Sequence, residues 1–326
     1  MVSAAMTPVL LLDTHALLFR AFHALPPMTT RAGRPTSALY GLAVMLLKLL
    51  REQRPAGLAF ALDAPRPTFR HAQSPTYKAH RPPLPDDLRL QLEALPRLLD
   101  ALGVPAFVAP GFEADDILAT LARQLGAAGT GVRIVTGDRD LFQLARPGVG
   151  VDILGVDILG VDILFVGARG QKATLYDHDA LVARYHLEPA QLPSLTALVG
   201  DVADNLPKIP GVGARTAQAL VQRFGDMRGL VDGLAHVTPA TLRAKLAAAS
   251  AQLLATEALA RLRDDVPLPQ GPRVSSVSTE GLARLRALFV EWEFKSLLPR
   301  LDRLADGPDA DAKADAPTDR QTSFAI

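Results

Sequence analysis

Short apolar runs alternate with longer helical patterns along the first half of the chain. Four runs are apolar enough to predict buried strands, and the segments that follow them show one apolar face at helical spacing. Fully apolar strands separated by helices are typical of a mostly parallel central sheet with helices on both faces. The sequence therefore predicts an α/β fold. The predicted strands are "VLLLD" (9–13), "GLAFALD" (57–63), "PAFVAP" (105–110) and "VRIVTGD" (132–138), and the predicted helices are 36–53, 88–103 and 113–129.

The pattern becomes almost entirely helical from about residue 178 and includes "IPGVGARTAQALVQRFG" (209–225). After Leu304 the chain is rich in Ala, Asp and Pro and loses its apolar periodicity, which is typical of disorder. We therefore predict three parts: an α/β core over 8–177, a helical region over 178–304, and a disordered tail over 305–326.

The segment 66–87 is basic and interrupted by prolines. It contains Arg66, Arg70, Lys78 and Arg81, with Phe69 and Tyr77 between them. A connection of this length between a strand and a helix is longer than usual, which favours a functional loop. A solvated surface loop is the alternative.

A five-residue unit, Gly-Val-Asp-Ile-Leu, occurs three times in tandem over 150–164. Strand side chains alternate with a period of two, so a unit of five residues changes faces at every copy. We predict that one copy pairs in the sheet and that the others protrude, hinged at Gly155 and Gly160. Asp152, Asp157 and Asp162 are then not metal ligands.

Carboxylates follow each predicted strand. Ligands of open parallel sheets bind beyond the carboxyl ends of the strands, so these side chains should converge. So many negative charges cannot share one crevice uncompensated, and Mg²⁺ or Mn²⁺ is the natural compensation. Taken singly, each carboxylate could instead cap a helix or belong to an ordinary turn. Their coincidence at four successive strand ends favours a metal site. The residues are Asp13, Asp63, Glu113, Asp115, Asp116, Asp138 and Asp140.

A second acidic pair, Asp201 and Asp204, lies in the helical region, where the spacing of three residues puts both on one face of a helix or turn. The "GVG" that follows opens a helix whose free N–H groups could hold a phosphate, with Arg215 and Thr216 close behind. The glycine pattern alone is weak, and the acidic pair strengthens it.

Composition narrows the chemistry. The chain has no cysteine, which excludes disulfides and cysteine-based metal sites. No apolar stretch approaches the roughly 20 residues of a membrane span, and Asp13 interrupts the first apolar run, so we expect a cytoplasmic protein. The net charge of +1 includes an acidic tail with six aspartates after residue 300. The rest of the chain is therefore more basic, which favours an anionic partner.

Five segments in order resemble the 5′ nuclease family, found as the N-terminal domain of bacterial DNA polymerase I, as stand-alone 5′–3′ exonucleases and, more distantly, as flap endonucleases. The resemblance runs from about residue 8 to 302. Its motifs are "VLLLDTHALLFRAFHAL", "FALDAPRPTFRHAQSPTYKAHR", "PGFEADDILATLA", "VRIVTGDRDLFQL" and "ALVGDVADNLPKIPGVGARTAQALV".

The resemblance implies a site with two Mg²⁺ or Mn²⁺ ions. It assigns Asp13, Asp63, Glu113, Asp115 and Asp116 to the first ion, and Asp138, Asp140, Asp201 and Asp204 to the second. It also makes 66–87 an arch over the site, with Lys78 and Arg81 at phosphate-contacting positions, Arg70 in the same DNA-binding segment, and Arg20 as a further basic residue near the active site.

Over 200–225 the resemblance implies a helix–hairpin–helix-like motif that grips duplex backbone, with a K⁺ ion held by main-chain carbonyls. Its candidate DNA-binding residues are Lys208, Gly211, Gly213, Arg215 and Thr216.

The implied function is that of a stand-alone, structure-specific 5′ nuclease that removes primers or flaps during replication and repair. We expect a nucleoid-associated monomer acting on DNA with a 5′ end, flap or nick, or on an RNA primer, and no membrane partner. A PIN-like ribonuclease and an inactive DNA-binding protein are the alternatives. The tail sequence "QTSF" (321–324) matches sliding-clamp peptides only imperfectly, which disfavours a clamp contact.

Overall fold

A mostly parallel six-stranded sheet lies at the centre of the described part of the N-terminal half. The computed structural model describes residues 7–65, 67–146, 149–153 and 174–305. The strand order is β3-β2-β1-β4-β5-β6, with β6 antiparallel to β5 and all other neighbours parallel. This confirms the predicted fold class. The strands are β1 (Val9–Asp13), β2 (Leu58–Ala61), β3 (Ala106–Phe107), β4 (Val132–Thr136), β5 (Val149–Ile153) and β6 (Thr174–Tyr176).

Thirteen helices surround or follow this sheet within the described ranges. They are α1 (Thr14–Ala24), α2 (Ser37–Gln53), α3 (Phe69–Gln73), α4 (Asp86–Leu102), α5 (Ala114–Ala127), α6 (His178–Tyr185), α7 (Leu192–Val199), α8 (Ala214–Phe224), α9 (Met227–Asp232), α10 (Ala240–Ala248), α11 (Ser250–Ala260), α12 (Thr279–Glu291) and α13 (Leu298–Ala305). No helix of these ranges is both long enough and apolar enough to cross a lipid bilayer.

Both faces of β1 are buried, which explains its unbroken apolar sequence. Leu10 and Leu12 pack in one layer with α1, α2 and α4, whereas Val9 and Leu11 pack in the opposite layer with α5. The two layers follow from the period-two alternation of strand side chains. The sheet is therefore covered on both faces, as a parallel sheet requires.

The helices after residue 178 divide between two cores. Helices α7 to α11 contribute to a separate cluster that includes Leu198, Val221 and Leu253. Helices α12 and α13 return to the sheet layer, where Phe289 and Leu301 pack with α2 and α4. The domain limits at 177/178 and 304/305 remain predictions, and the packing adds that the last two helices share the core of the sheet.

The first repeat unit is part of the sheet. Residues 150–153 lie in β5, which pairs with β4 along its length and with the returning strand β6. The prediction that one copy pairs is therefore confirmed. The second and third copies, with both proposed hinges, lie outside the described residues.

The third predicted strand is much shorter than expected. We predicted 105–110, and β3 comprises only Ala106 and Phe107, which pair with Phe60 and Ala61 of β2. Pro105 and Pro110 bound this edge segment, and proline has no N–H to donate to a strand ladder.

Candidate active site

The carboxyl ends of β1, β2 and β4 meet at one edge of the sheet because these strands are parallel neighbours. Asp13 ends β1 and is almost completely buried. It accepts a hydrogen bond from Thr136 Oγ1 at the end of β4 (2.7 Å) and one from the backbone N–H of Ala16 (3.2 Å). The helix-capping alternative is thus realised as well, and Asp13 caps α1 while facing its neighbouring strand end.

Asp63 connects the end of β2 to the start of α5. Its Oδ1 accepts from the backbone N–H of Ala114, the first residue of α5, at 2.8 Å. Its own N–H donates to His15 Nδ1 at 2.9 Å. The first turn of α5, which carries Asp115 next to Glu113, is thereby fixed beside the strand ends.

Burial, and after it mutual repulsion, makes ionisation of these carboxylates unfavourable. Burial, opposed by the Thr136 hydrogen bond and reinforced by the charges of Asp63 and Asp138, raises the pKa of Asp13 to about 7. Burial and the charges of Asp13 and Asp138 raise the pKa of Asp115 well above its ordinary value. Asp13, Asp63 and Asp138 at three strand ends and Asp115 on α5 therefore lie close enough for their charges to interact.

The second acidic group adjoins the first through Asp138. Asp138 accepts from the backbone N–H of Asp140 at 2.9 Å, and the N–H of Asp204 donates to Asp201 at 3.1 Å. Burial, then the charges of Asp138, Asp204 and Asp201, raise the pKa of Asp140 to about 8. Because Asp138 repels members of both groups, the predicted sets form one continuous acidic site.

The turn between α7 and α8 positions Asp201 and Asp204. Asp201 and Leu206 exchange two backbone hydrogen bonds, of 3.0 and 2.7 Å, which close the turn. Gly200 enters it with a φ of 76°, and a Cβ there would lie 2.7 Å from Lys208 N and 2.8 Å from Leu206 O. Glycine is therefore required at this position.

Replacing Gly200 with alanine is expected to destabilise this turn. Left-handed strain and backbone overlap act together, so we expect a loss of about 3 kcal/mol in the free energy of unfolding, at the upper end of the cost of one strained residue. Urea unfolding measures the loss. Gly33→Ala is the control, since Gly33 has a φ of 78° but nothing within 4 Å of a built Cβ. An equal loss in both variants would show that crowding at Gly200 is unimportant.

The segment 67–87 packs onto the acidic site. Lys78 Nζ lies 3.1 Å from Glu113 and 3.6 Å from Asp204, so it joins the two acidic groups. Arg81 donates to Asp204 at 2.9 Å. The charges of Glu113 and Asp204 raise the pKa of Lys78 despite its burial, which acts in the opposite direction. The solvated-loop alternative is wrong for this part of the segment.

Tyr77, Thr136 and Asn205 were not predicted as site residues. The Tyr77 hydroxyl lies within hydrogen-bond distance of both Glu113 (3.0 Å) and Asp204 (2.8 Å), and Tyr77 is 2% exposed. Asn205 donates from its side-chain amide to Thr76 O at 2.8 Å, which ties the segment to the acidic turn. Each of the three lies within two residues of a predicted site residue, and this proximity in sequence could have indicated them.

Two predictions for this region are corrected by the contacts. Arg70, predicted to contact DNA, is 1% exposed. Asp116, predicted as a metal ligand, is fully buried, and both of its oxygens accept from Arg70 at 2.7 Å. The sequence pattern made Arg70 a surface residue because its segment is basic and proline-interrupted, but α3 turns the guanidinium inward against α5.

Arg20 lies on α1 next to the segment that carries Asp138. A Cβ built on Gly137 would overlap Arg20 Nη1, so the guanidinium rests directly against this glycine. Arg20 therefore lies beside the residue that precedes Asp138, and its role in the site stays a prediction.

The 200–225 motif forms a turn followed by α8. Ile209 and Val212 are buried in the cluster of the later helices, whereas Lys208, Gly211, Gly213 and Arg215 are exposed and Thr216 is half-buried. Gly213 is the N-cap of α8 and offers the first N–H groups of this helix no side-chain partner. The exposed backbone and two cations could contact a phosphate chain.

The residues fit divalent metal ions by chemistry. The candidate metal ligands of the acidic site are carboxylate oxygens, which Mg²⁺ and Mn²⁺ prefer, and the raised pKa values of Asp13 and Asp140 report negative charge that a cation would relieve. In the described part of the chain, no three Asp, Glu or His side chains are already arranged to hold one ion. Lys78 and Arg81 instead occupy oxygens of Glu113 and Asp204, so these side chains would have to reorient.

Family models match most of the chain. The model for the 5′–3′ exonuclease N-terminal resolvase-like domain matches residues 8–185, and the model for the 5′–3′ exonuclease C-terminal SAM fold matches residues 187–280. DNA polymerase I of Mycobacterium bovis is 39% identical over 311 residues, and the thermostable DNA polymerase I of Thermus thermophilus is 38% identical over 311 residues. These matches cover 93% and 95% of the chain, which spans about a third of each relative (33% and 34%).

Solved structures share the fold at low sequence identity. The bacteriophage T5 D15 flap endonuclease, in a pseudo-enzyme-product complex with DNA and metal ions, aligns with a TM-score of 0.60 and 17% identity. The alignment covers 91% of this chain and 99% of the T5 chain. Human GEN1 in complex with Holliday junction DNA aligns with a TM-score of 0.60 and 15% identity, covering 96% of this chain and 75% of its own.

Proposed function

The chain belongs to the 5′–3′ exonuclease family, and from this premise we propose that it is a divalent-metal-dependent, structure-specific 5′ nuclease that hydrolyses phosphodiester bonds at 5′ ends or flaps of DNA. One observation carries the proposal. Carboxylates from three parallel strand ends, the first turn of α5 and the 201–204 turn lie in one site, with Lys78 between them.

Eight carboxylates are the proposed ligands of two Mg²⁺ or Mn²⁺ ions. When bound, the ions would supply Lewis acidity to the attacking water and to the scissile phosphate. Asp116 is left out because its oxygens are taken by Arg70. The first group comprises Asp13, Asp63, Glu113 and Asp115, and the second comprises Asp138, Asp140, Asp201 and Asp204.

Lys78 and Arg81 act on the scissile phosphate in this proposal. Both side chains contact carboxylates, and both would exchange these contacts for phosphate oxygens when DNA enters. A cation held in a largely buried position interacts strongly with charge that develops in the transition state. Arg20, which lies against Gly137 next to Asp138, adds positive charge to the site. Water adds to phosphorus and the P–O3′ bond breaks, so the released strand leaves with a 3′-hydroxyl and the remaining strand keeps the 5′-phosphate.

DNA selection rests on phosphate contacts. Lys208 and Arg215, together with the N–H groups at the start of α8, would hold duplex backbone without reading bases. A K⁺ ion bound to main-chain carbonyls near Gly211 and Gly213 would strengthen this grip. The substrate is then recognised by its shape, as a 5′ end, flap or nick next to a duplex.

The cellular role that follows is primer or flap removal in replication and repair, in the nucleoid-containing cytoplasm. We propose a monomer, with RNA primers as an additional substrate class. The imperfect "QTSF" peptide, which lies outside the described residues, gives little support for a sliding-clamp contact.

A paired-substrate assay tests the proposed function. Purified protein is incubated with a 5′-flap DNA and a sequence-matched RNA, with Mg²⁺ or with EDTA. The proposal expects cleavage of the flap DNA in Mg²⁺ only, with a 3′-hydroxyl on the released flap and a 5′-phosphate on the strand that stays in the duplex. Preferential cleavage of the RNA would favour a PIN-like ribonuclease, and tight DNA binding without any cleavage would favour an inactive binding protein.

Gly137→Ala is expected to impair cleavage through Arg20. The new methyl group displaces the end of a flexible side chain, so folding should be preserved. Cleavage should fall by about tenfold, short of the roughly hundredfold cost of a 1 Å misplacement near the chemistry. Single-turnover rates on flap DNA measure the effect. In the control, Gly131→Ala, the new Cβ lies 3.9 Å from Pro8 and should change nothing. Cleavage by Gly137→Ala at the wild-type rate would show that Arg20 takes no part in the reaction.

Deleting residues 155–164 is expected to leave cleavage nearly intact. The first repeat copy already supplies the paired strand β5, and β6 already returns beside it. We expect flap-cleavage rates within about twofold of wild type, because β5 and β6 pair without these ten residues. A control replaces Leu11, which is fully buried in β1, with aspartate, which should lower the thermal midpoint. A tenfold loss of cleavage after the deletion would contradict the prediction that the second and third copies are not needed for cleavage.

A further inference from the structure

Arg70 and Asp116 form a buried ion pair at the base of the segment 67–87. Nη1 and Nη2 of Arg70 each donate to one oxygen of Asp116, at 2.7 Å. A bidentate guanidinium–carboxylate pair is both strong and directional. The charge of Asp116 raises the pKa of Arg70 although burial, the largest influence, acts to lower it.

The remaining hydrogen-bonding groups of the pair bind the end of α11, the residues that follow it, and the start of α5. Arg70 Nε donates to Leu259 O at 2.9 Å, and Nη2 lies 3.3 Å from Arg261 O. Arg70 Nη1 also contacts Glu113 at 3.3 Å. Asp116 accepts from the backbone N–H groups of Glu113 (3.2 Å) and Arg263 (2.9 Å).

The pair therefore joins α3, the first turn of α5, and the chain that follows α11. Glu113 and Asp115, proposed metal ligands, precede Asp116 at the start of α5. Tyr77 and Lys78 follow Arg70 on the same segment. One fully hydrogen-bonded contact thus links the segment that carries Lys78 to the turn that carries these ligands.

We propose that Arg70 and Asp116 are positioning residues that fix Glu113, Asp115 and Lys78 relative to one another, and that neither contacts DNA or a metal ion. The inference rests on the proposed function for its catalytic consequence. The burial of both side chains carries it, because a residue that is 1% exposed has no surface to offer a phosphate. Partners that orient metal ligands typically contribute tenfold to a hundredfold to metal affinity.

Four variants test the proposal: Arg70→Gln, Asp116→Asn, the double variant, and Arg97→Gln as control. Arg97 forms a bidentate pair with Glu291 (2.9 and 2.6 Å), but that pair is about half exposed. Four quantities are measured for each: Mn²⁺ binding by electron paramagnetic resonance without DNA, flap-DNA affinity in Ca²⁺, the single-turnover cleavage rate in Mg²⁺, and the urea midpoint of unfolding.

We expect Arg70→Gln and Asp116→Asn each to weaken Mn²⁺ binding by about tenfold. Each should slow cleavage by about a hundredfold, as expected for misplaced reacting groups. DNA affinity should stay within about threefold of wild type. The double variant should unfold at no lower urea concentration than the worse single variant, because no buried charge is left alone. Arg97→Gln should change nothing, as is usual for an exposed pair.

Two results would overturn the proposal. Arg70 contacts DNA if Arg70→Gln weakens DNA binding tenfold and reduces the slope of log affinity against log salt concentration by about one, the change expected for one lost phosphate contact. If only Asp116→Asn weakens Mn²⁺ binding, Asp116 is a ligand. Should Arg70→Gln not fold, Arg70→Lys keeps the charge without the fork, and wild-type cleavage and Mn²⁺ affinity in it would also overturn the proposal. Wild-type protein that cleaves no DNA, with the expected Mn²⁺ and unfolding effects intact, would refute the proposed function and leave the pair standing.

Discussion

Replacing Asp138 with asparagine is expected to lower Mg²⁺-dependent cleavage of flap DNA by about a thousandfold, the upper end of what one charge-stabilising group contributes. Asp138 interacts with both acidic groups, so the loss of its charge weakens the proposed binding of both ions. The amide oxygen can still accept from the N–H of Asp140, as Oδ1 does at 2.9 Å. The fold should therefore be preserved.

DNA binding separates this effect from a general loss of structure. Asp138→Asn removes a negative charge beside the DNA path, so flap-DNA affinity in Ca²⁺ should equal or exceed that of wild type. Asp100→Asn, a change at an exposed position on α4, is the matched control and should leave both quantities unchanged. Cleavage within tenfold of wild type in Asp138→Asn would remove Asp138 from the site.

Replacing Lys78 with alanine is expected to slow cleavage by about a hundredfold, because one charged donor to the transition state is lost. Without divalent ions the variant should also be less stable than wild type, since Glu113 and Asp204 lose the cation that lies between them. Single-turnover rates and urea midpoints, each with and without Mg²⁺, measure both effects.

The metal dependence of stability is the informative part of the Lys78→Ala test. Bound ions would replace the lost positive charge, so Mg²⁺ should stabilise the variant more than it stabilises wild type. Lys48→Ala, on α2, controls for the loss of a lysine elsewhere. An equal Mg²⁺ effect in wild type and Lys78→Ala would contradict the proposal that Lys78 and the ions neutralise the same carboxylates.

The strand ends could be predicted because their cause is local. Val9–Asp13 is buried on both faces and reads as an unbroken apolar run, and its predicted limits are those of β1. Parallel pairing then places Asp13, Asp63 and Asp138 at one edge whatever the details of the connections. The convergence of acidic residues therefore followed from periodicity and chain order alone.

The burial of charge could not be predicted in the same way. Arg70 and Lys78 both carry a positive charge and lie in one basic segment, yet one is enclosed with Asp116 and the other lies between two acidic groups. Which side of α3 faces the core depends on contacts with α5 and with residues 259–263, which are distant in sequence. A basic pattern thus indicates an anionic partner but does not distinguish a carboxylate of the protein from a phosphate.

Crystals grown with Mn²⁺ and examined by anomalous diffraction test the central claim most directly. The account predicts two anomalous peaks within the acidic site, one against Asp13 and Asp115 and one against Asp138 and Asp140, with Lys78 no longer in contact with Glu113. It also predicts no peak against Asp116. Mn²⁺ bound elsewhere on the protein, with no peak at these carboxylates, would contradict it.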